Sequence, residues 1–228
     1  MSKPLMHNGT LREPILPELL GQAFLDREGD FEAGSHQSFT LTCTCRRFGI
    51  DDSGSLRVVS RFATDQSNPQ FKDPQGPGFT EVKASNNAVL ECRFDPKGNI
   101  RPWDRIMQIK VVRGFMKEGD TITIRFGVTD QGSLGMRLQT FCEKRFEFRV
   151  LVDPIATYNF QTLPSQPSIR IFPVPPVCWI SVDPSICFDK PFSLKIKAED
   201  KWGNPTNRTG TCLRFISCQV LNNLPGSV

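Results

Sequence analysis

The residues of this chain best suited to chemistry are two closely spaced cysteines, a few aspartates and two tryptophans beside charged neighbours. Cys43-Thr44-Cys45 puts two thiols one residue apart. In a strand, positions i and i+2 share a face, so these two are neighbours on one side of a sheet. Structural zinc uses cysteine pairs on turns with a second pair or with histidines, and the chain offers only His7 and His36. The eight cysteines therefore read for the most part as small apolar residues in strands. Asp51 and Asp52, with Asp65 after the next strand, supply the kind of oxygens that hold calcium. Gly49-Ile50-Asp51-Asp52-Ser53-Gly54 is equally good turn chemistry, and the turn is the simpler account. Cys142, beside Lys144 and Arg145, reads as structural. There is no phosphate-binding glycine loop, no G-x-S-x-G nucleophile elbow and no paired-histidine motif. No catalytic, cofactor-binding or metal-ligating residue is therefore assigned.

What is left is a candidate binding surface. Arg101, Trp103 and Asp104 fall in one short loop, and Trp202 falls in the turn Asp200-Lys201-Trp202-Gly203-Asn204-Pro205. An exposed tryptophan next to arginine or aspartate suits sugars and peptides. The same arrangement also pins a loop to the edge of a sheet.

The elements that must position these residues are strands. From residue 38 onward the apolar pattern has period two. Phe39, Leu41, Cys43 and Cys45 alternate with Thr40, Thr42 and Thr44, and Ile122, Ile124, Phe126 and Val128 alternate with Thr123 and Arg125. Strands are predicted over 38–46, 56–63, 88–94, 106–112, 121–128 and 145–152, with a long Pro/Gly loop at 68–78. Their spacing suits an antiparallel sandwich or a related barrel. Residues 1–30 read as an irregular segment with one helical turn near 18–25. Residues 31–153 form the predicted sandwich, 154–176 a proline-rich linker, and 177–228 a second β domain with strands at 177–182, 192–198 and 212–217. About a hundred residues make a full sandwich, so the second block is expected to be incomplete and the chain to be a fragment.

Composition agrees with an all-β class. The 228 residues include 18 Phe and 18 Pro but a single Tyr, a balance that favours strands and turns over long helices. The formal charge is +4, with Lys and Arg spread along the chain. Nucleic-acid readers concentrate that charge in a stripe or arm, so no nucleic-acid partner is expected. No apolar run reaches the length of a membrane-spanning helix, and residues 1–20 lack the unbroken apolar core of a secretory signal. The expectation is a cytoplasmic protein with no membrane partner.

Several stretches together resemble a known group. They are Phe48-Gly-Ile-Asp-Asp-Ser-Gly54, Asp95-Pro-Lys-Gly-Asn-Ile-Arg-Pro-Trp103, Glu118-Gly-Asp120, Arg137-Leu-Gln-Thr-Phe-Cys-Glu143, 146–153 and Ala198-Glu-Asp-Lys-Trp-Gly-Asn-Pro205. Over about residues 31–215 they resemble the N-terminal β region of a large microbial family catalogued as a domain of unknown function. Members of that family carry a downstream domain similar to PHP-type metallohydrolases. The resemblance implies a non-catalytic accessory region, whose partner is a missing C-terminal catalytic domain and whose divalent metal belongs to that domain. The alternative expectation is a free-standing β-sandwich binding module for a carbohydrate or protein, with Arg101, Trp103 and the 65–80 loop as its face.

Overall fold

The computed structural model describes residues 6–7, 10–11, 16–181 and 195–208. It divides into two units, Met1–Pro173 and Val174–Val228. The fold is all-β: the described residues hold one short 3-10 turn, Pro17–Leu19, and no α-helix.

Nine strands of the first unit make two facing sheets. In chain order they are β1 (Gly21–Leu25), β2 (Phe39–Cys45), β3 (Ser55–Ser60), β4 (Thr80–Ala84), β5 (Val89–Asp95), β6 (Arg105–Arg113), β7 (Thr121–Phe126), β8 (Arg149–Asp153) and β9 (Gln161–Thr162). One sheet runs β1-β2-β7-β4 and the other β9-β8-β3-β6-β5, every pair antiparallel. The period-two pattern decides which face is buried. Leu41, Cys43, Ile122 and Ile124 point inward from the first sheet, and Leu56, Val58, Met107, Ile109, Val150 and Val152 from the second, all in one core. Burial pushes the Cys45 thiol up to about 12, and Cys43 higher still, so both are inert apolar packing groups.

Phe148 marks a switch between sheets. Just before it, Glu143–Glu147 pairs with Ser168–Phe172, which in turn runs parallel to Asp30–Glu32. Just after it, β8 pairs with β3. Phe146, Phe148, Val150 and Val152 stay buried through the change of partner. Phe148 lies 5.5 Å from Phe39, 5.8 Å from Phe126 and 5.7 Å from Phe146, so it ties both sheets together with aromatic edges.

Two expectations need correcting, and one strand lies where none is predicted. Residues 21–25 form an edge strand where a helical turn is predicted, because Ala23 and Leu25 are buried while Gln22 and Phe24 are exposed. A five-residue apolar run does not by itself separate period 2 from period 3.6. Thr80–Ala84, at the end of the long loop, is a strand paired with β7. The 154–176 segment, expected as a linker, holds two paired strands, with Ile169 and Ile171 buried in the core. Its prolines flank Ser168–Phe172 rather than interrupt it, and proline is tolerated at strand ends.

The second unit shows an antiparallel pair, Cys178–Ser181 with Ile196–Glu199. The strand predicted at 192–198 is described only from residue 195, and the one at 212–217 lies outside the described residues. The turn after Ile196–Glu199 is built on Asp200, which is buried. Its carboxylate accepts backbone N–H bonds from Val174 (3.1 Å), Trp202 (2.9 Å) and Asn204 (2.9 Å), and the Asn204 amide at 3.0 Å. Burial opposes the charge on Asp200, but the bonds from Asn204, Trp202 and Val174 outweigh it and hold the carboxyl below the usual range.

Two predictions follow from this packing. Leu41 and Ile124 are cross-strand partners and both are fully buried. Leu41→Ala should cost about 2–5 kcal/mol, read as a lower urea midpoint with an unchanged slope. The depressed carboxyl of Asp200 stabilises its turn above the unfolded value, near pH ~4. That stabilisation should fade as pH falls through the lowered folded value, seen as a shift of the Trp202 backbone amide proton resonance that Asp200→Asn abolishes.

Candidate functional site

The outer face of the five-stranded sheet is where the chain leaves polar side chains gathered and uncovered. Strand register arranges this face in rows. One row is Leu151, Arg57, Gln108 and Arg93, crossing β8, β3, β6 and β5. The next is Asp153, Ser55, Lys110 and Glu91. A third, Arg149, Val59, Ile106 and Asp95, lies toward the other end.

That third row is covered. Val59 and Ile106 point away from the main core yet are only 1% exposed. The β5–β6 loop lies over Ile106 so closely that a Cβ on Gly98 would come within 2.6 Å of its Cδ1. Trp103 sits in this loop, half-buried, with the Arg149 guanidinium 3.9 Å and the Arg61 guanidinium 5.2 Å from its ring. Glu147 and Glu143 hold those two arginines in turn, at 3.0 and 3.1 Å.

The structure therefore brings Arg101, Trp103 and Asp104 into one loop, while Trp202 belongs to the second unit. Arg101 is exposed, stacks 4.9 Å from the Phe62 ring and lies 3.7 Å from Asp104. Asp104 is buried. Trp202 has Lys201 4.9 Å from its ring. The 65–80 loop is tied down within itself, where Gln70 accepts from the Lys72 and Asp73 amides, and to the rest of the unit, where Asp65 accepts from the Thr140 amide at 2.8 Å. Asp65 is engaged with Thr140 and Arg137, apart from the Asp51–Asp52 turn. Among the described residues no group of three or more His, Cys, Asp or Glu stands close enough to hold a metal ion.

The polar members of the first two rows floor a cleft of about 440 Å³, walled by the 153–160 loop and the turn at Ser53. Volumes of this size are ordinary for ligand sites. Asp153 builds the loop wall. Its carboxylate accepts from Thr157 N–H and Oγ–H, both at 3.0 Å, and from the Tyr158 N–H at 2.6 Å. The loop then crosses back so that Phe160 lies 3.6 Å from the Arg57 guanidinium, a close cation–π stack. Tyr158 is left 87% exposed at the rim.

Backbone strain collects here. Among the described residues, the non-glycine residues with positive φ are Ser53 (68°), Ala156 (53°) and Tyr158 (59°), and all line this cleft. Such conformations cost of order 1–3 kcal/mol each and persist where surrounding contacts over-determine them.

The cleft's electrostatics are set by Arg57, Arg93 and Lys110 against Glu91 and Asp153. Arg93 donates to the Gln108 side-chain oxygen at 2.8 Å, and Gln108 donates to the Ser55 hydroxyl at 3.4 Å. None of the three cations forms an ion pair with a described residue. Arg57 Nε is buried and has no hydrogen-bond partner. Burial and the nearby Arg93 charge lower the Arg57 pKa, with Asp153 acting the other way.

Sequence reasoning missed this site because its members come from separate strands and only register aligns them. The usable signal was the polar half of each period-two strand.

No protein-family model matches the chain, and no curated protein does. Among solved structures, the chain is similar to a cohesin module from a family 33 glycoside hydrolase of Clostridium perfringens. The TM-score is 0.39 at 10% identity, over 68% of this chain and 99% of that one. Overlap at that level carries no argument; the sandwich is established by strand pairing alone. Among the described residues no helix is long and apolar enough to cross a membrane.

If Asp153 is what shapes the wall, Asp153→Ala should cost about 1–3 kcal/mol in denaturant unfolding. It should also make the Thr157 and Tyr158 amides exchange hydrogen faster than their neighbours do.

Proposed function

We propose that this chain is a non-catalytic binding module whose ligand site is the cleft on the outer face of the five-stranded sheet, and whose ligand is a saccharide. The observation that carries the reading is the convergence on one cleft of a strained, carboxylate-anchored loop, an exposed tyrosine and a floor of hydrogen-bonding side chains. Protein interfaces concentrate apolar area at their centre. This floor is instead serine, glutamine, arginine, lysine and glutamate, which suits a ligand rich in hydroxyl groups. An aromatic ring at the rim supplies the flat apolar surface that a sugar face needs.

The surface expected from sequence, around Arg101, Trp103 and the 65–80 loop, is the weaker choice. The tryptophan ring already has two guanidinium groups over it, and the loop's polar groups are engaged with one another. The accessory role beside a metal-dependent hydrolase rests on the sequence resemblance alone. A saccharide-binding module would serve equally well beside a catalytic domain or by itself.

Backbone amide shifts of the isotope-labelled chain, titrated with a panel of neutral and acidic oligosaccharides, test the reading. The expected result is perturbation centred on Ser55, Arg57, Gln108 and the 153–160 loop, lost in Tyr158→Ala. Silence across the whole panel, or shifts confined to the Trp103 loop, would sink it.

A further inference from the structure

The cleft's charges narrow the ligand class. Two of its cations, Arg57 and Arg93, stand on the same row across the sheet with Gln108 between them. Held on rigid strands either side of Gln108, they repel each other, and no described carboxylate is paired with either. The charge of Asp153 acts on Arg57, but its carboxylate bonds to the Thr157 and Tyr158 donors and forms no ion pair with either arginine. Glu91 is the register partner of Lys110, one row away. Arg57 also holds a buried Nε–H with nothing to donate to among the described residues, a cost of the kind any unpaired buried donor carries. Phe160, stacked on the Arg57 guanidinium, fixes its plane and leaves the edge donors for recognition.

We infer that the cleft selects an acidic saccharide, seating a uronic-acid carboxylate between Arg57 and Arg93 with a sugar face against Tyr158. This rests on the cleft being a saccharide site. A carboxylate accepts two parallel bonds from a guanidinium edge, and such charge-assisted pairs are shorter and stronger than neutral ones. Lys110, Glu91 and Ser53 then face the remaining hydroxyl groups, as donor, acceptor and both. The backbone needs no closure to do this, because the floor belongs to paired strands and the wall is already held by Asp153.

Calorimetric titration of the full chain tests the inference with oligogalacturonate, oligomannuronate, oligoguluronate and oligoglucuronate. Each is paired with its carboxyl-reduced neutral counterpart, and oligoglutamate serves as an acidic peptide control. At least one oligouronide should bind about tenfold or more tightly than its neutral counterpart, the size of effect that one charge-assisted pair gives. Binding should weaken with added salt. Arg93→Ala removes an exposed side chain that among the described residues bonds to Gln108 alone, and Arg57→Met removes the guanidinium while leaving an unbranched apolar side chain beside Phe160. Both variants should melt like the parent and lose about tenfold or more of that affinity.

Neutral and acidic saccharides binding alike at the cleft would overturn the charge selection and leave the saccharide site standing. Oligoglutamate binding as tightly as any oligouronide would overturn the saccharide assignment. Absence of binding by every member would overturn both.

Discussion

The pleat of the five-stranded sheet is the constraint on which everything else in this unit depends. Successive side chains of a strand must point to opposite faces. Arg57 is thereby held between Leu56 and Val58, Gln108 between Met107 and Ile109, and Arg93 between Cys92 and Phe94. Arg57, Gln108 and Lys110 each inherit their position from two core residues that cannot move without opening a void, and Arg93 and Glu91 from partly buried residues packed against that core. The core and the candidate site are two sides of the same strands. A register slip of one residue would put the charges in the core and the apolar groups in the cleft.

The outer face is divided: one end is covered and the other is an open cleft. At one end Val59 and Ile106 are apolar, and the β5–β6 loop with Trp103 covers them. At the other end the cleft floor is polar, and the 153–160 loop walls it, with Phe160 stacked on Arg57. Asp153 is the hinge of that difference. It belongs to the last ladder position of β8, opposite Ser55, yet its carboxylate turns to the loop amides and holds Ala156 and Tyr158 in left-handed backbone conformations. The sequence holds a single tyrosine, and this is the residue set at the rim.

Much of the sandwich was legible from alternation. The strands around Leu41, Leu56, Cys92, Ile109 and Ile124 lie where the apolar pattern placed them, because a half-buried strand writes its burial directly into the sequence, whereas the run predicted as one strand over 145–152 is two, changing partner at Phe148. The edge strands were less legible. Gly21–Leu25 and Thr80–Ala84 are five residues each, and Gln161–Thr162 is two. Short runs beside prolines carry too few repeats to be distinguished from loops. Arg101, Trp103 and Asp104 were correctly placed in one loop by their adjacency, but the ring's neighbours, Arg61 and Arg149, come from other parts of the chain.

By itself, then, the sequence determined the class of structure: an all-β chain, rich in phenylalanine, with alternating strands and buried Cys43 and Cys45. Those properties depend on neighbours within a strand, where the geometry of the peptide sets the period. Only the tertiary structure decided which polar residues meet. Arg57 and Arg93 are 36 positions apart and Asp153 is 60 beyond Arg93, and what joins them is strand order and register, which no local pattern encodes. The cleft exists because β8, β3, β6 and β5 pair in that order.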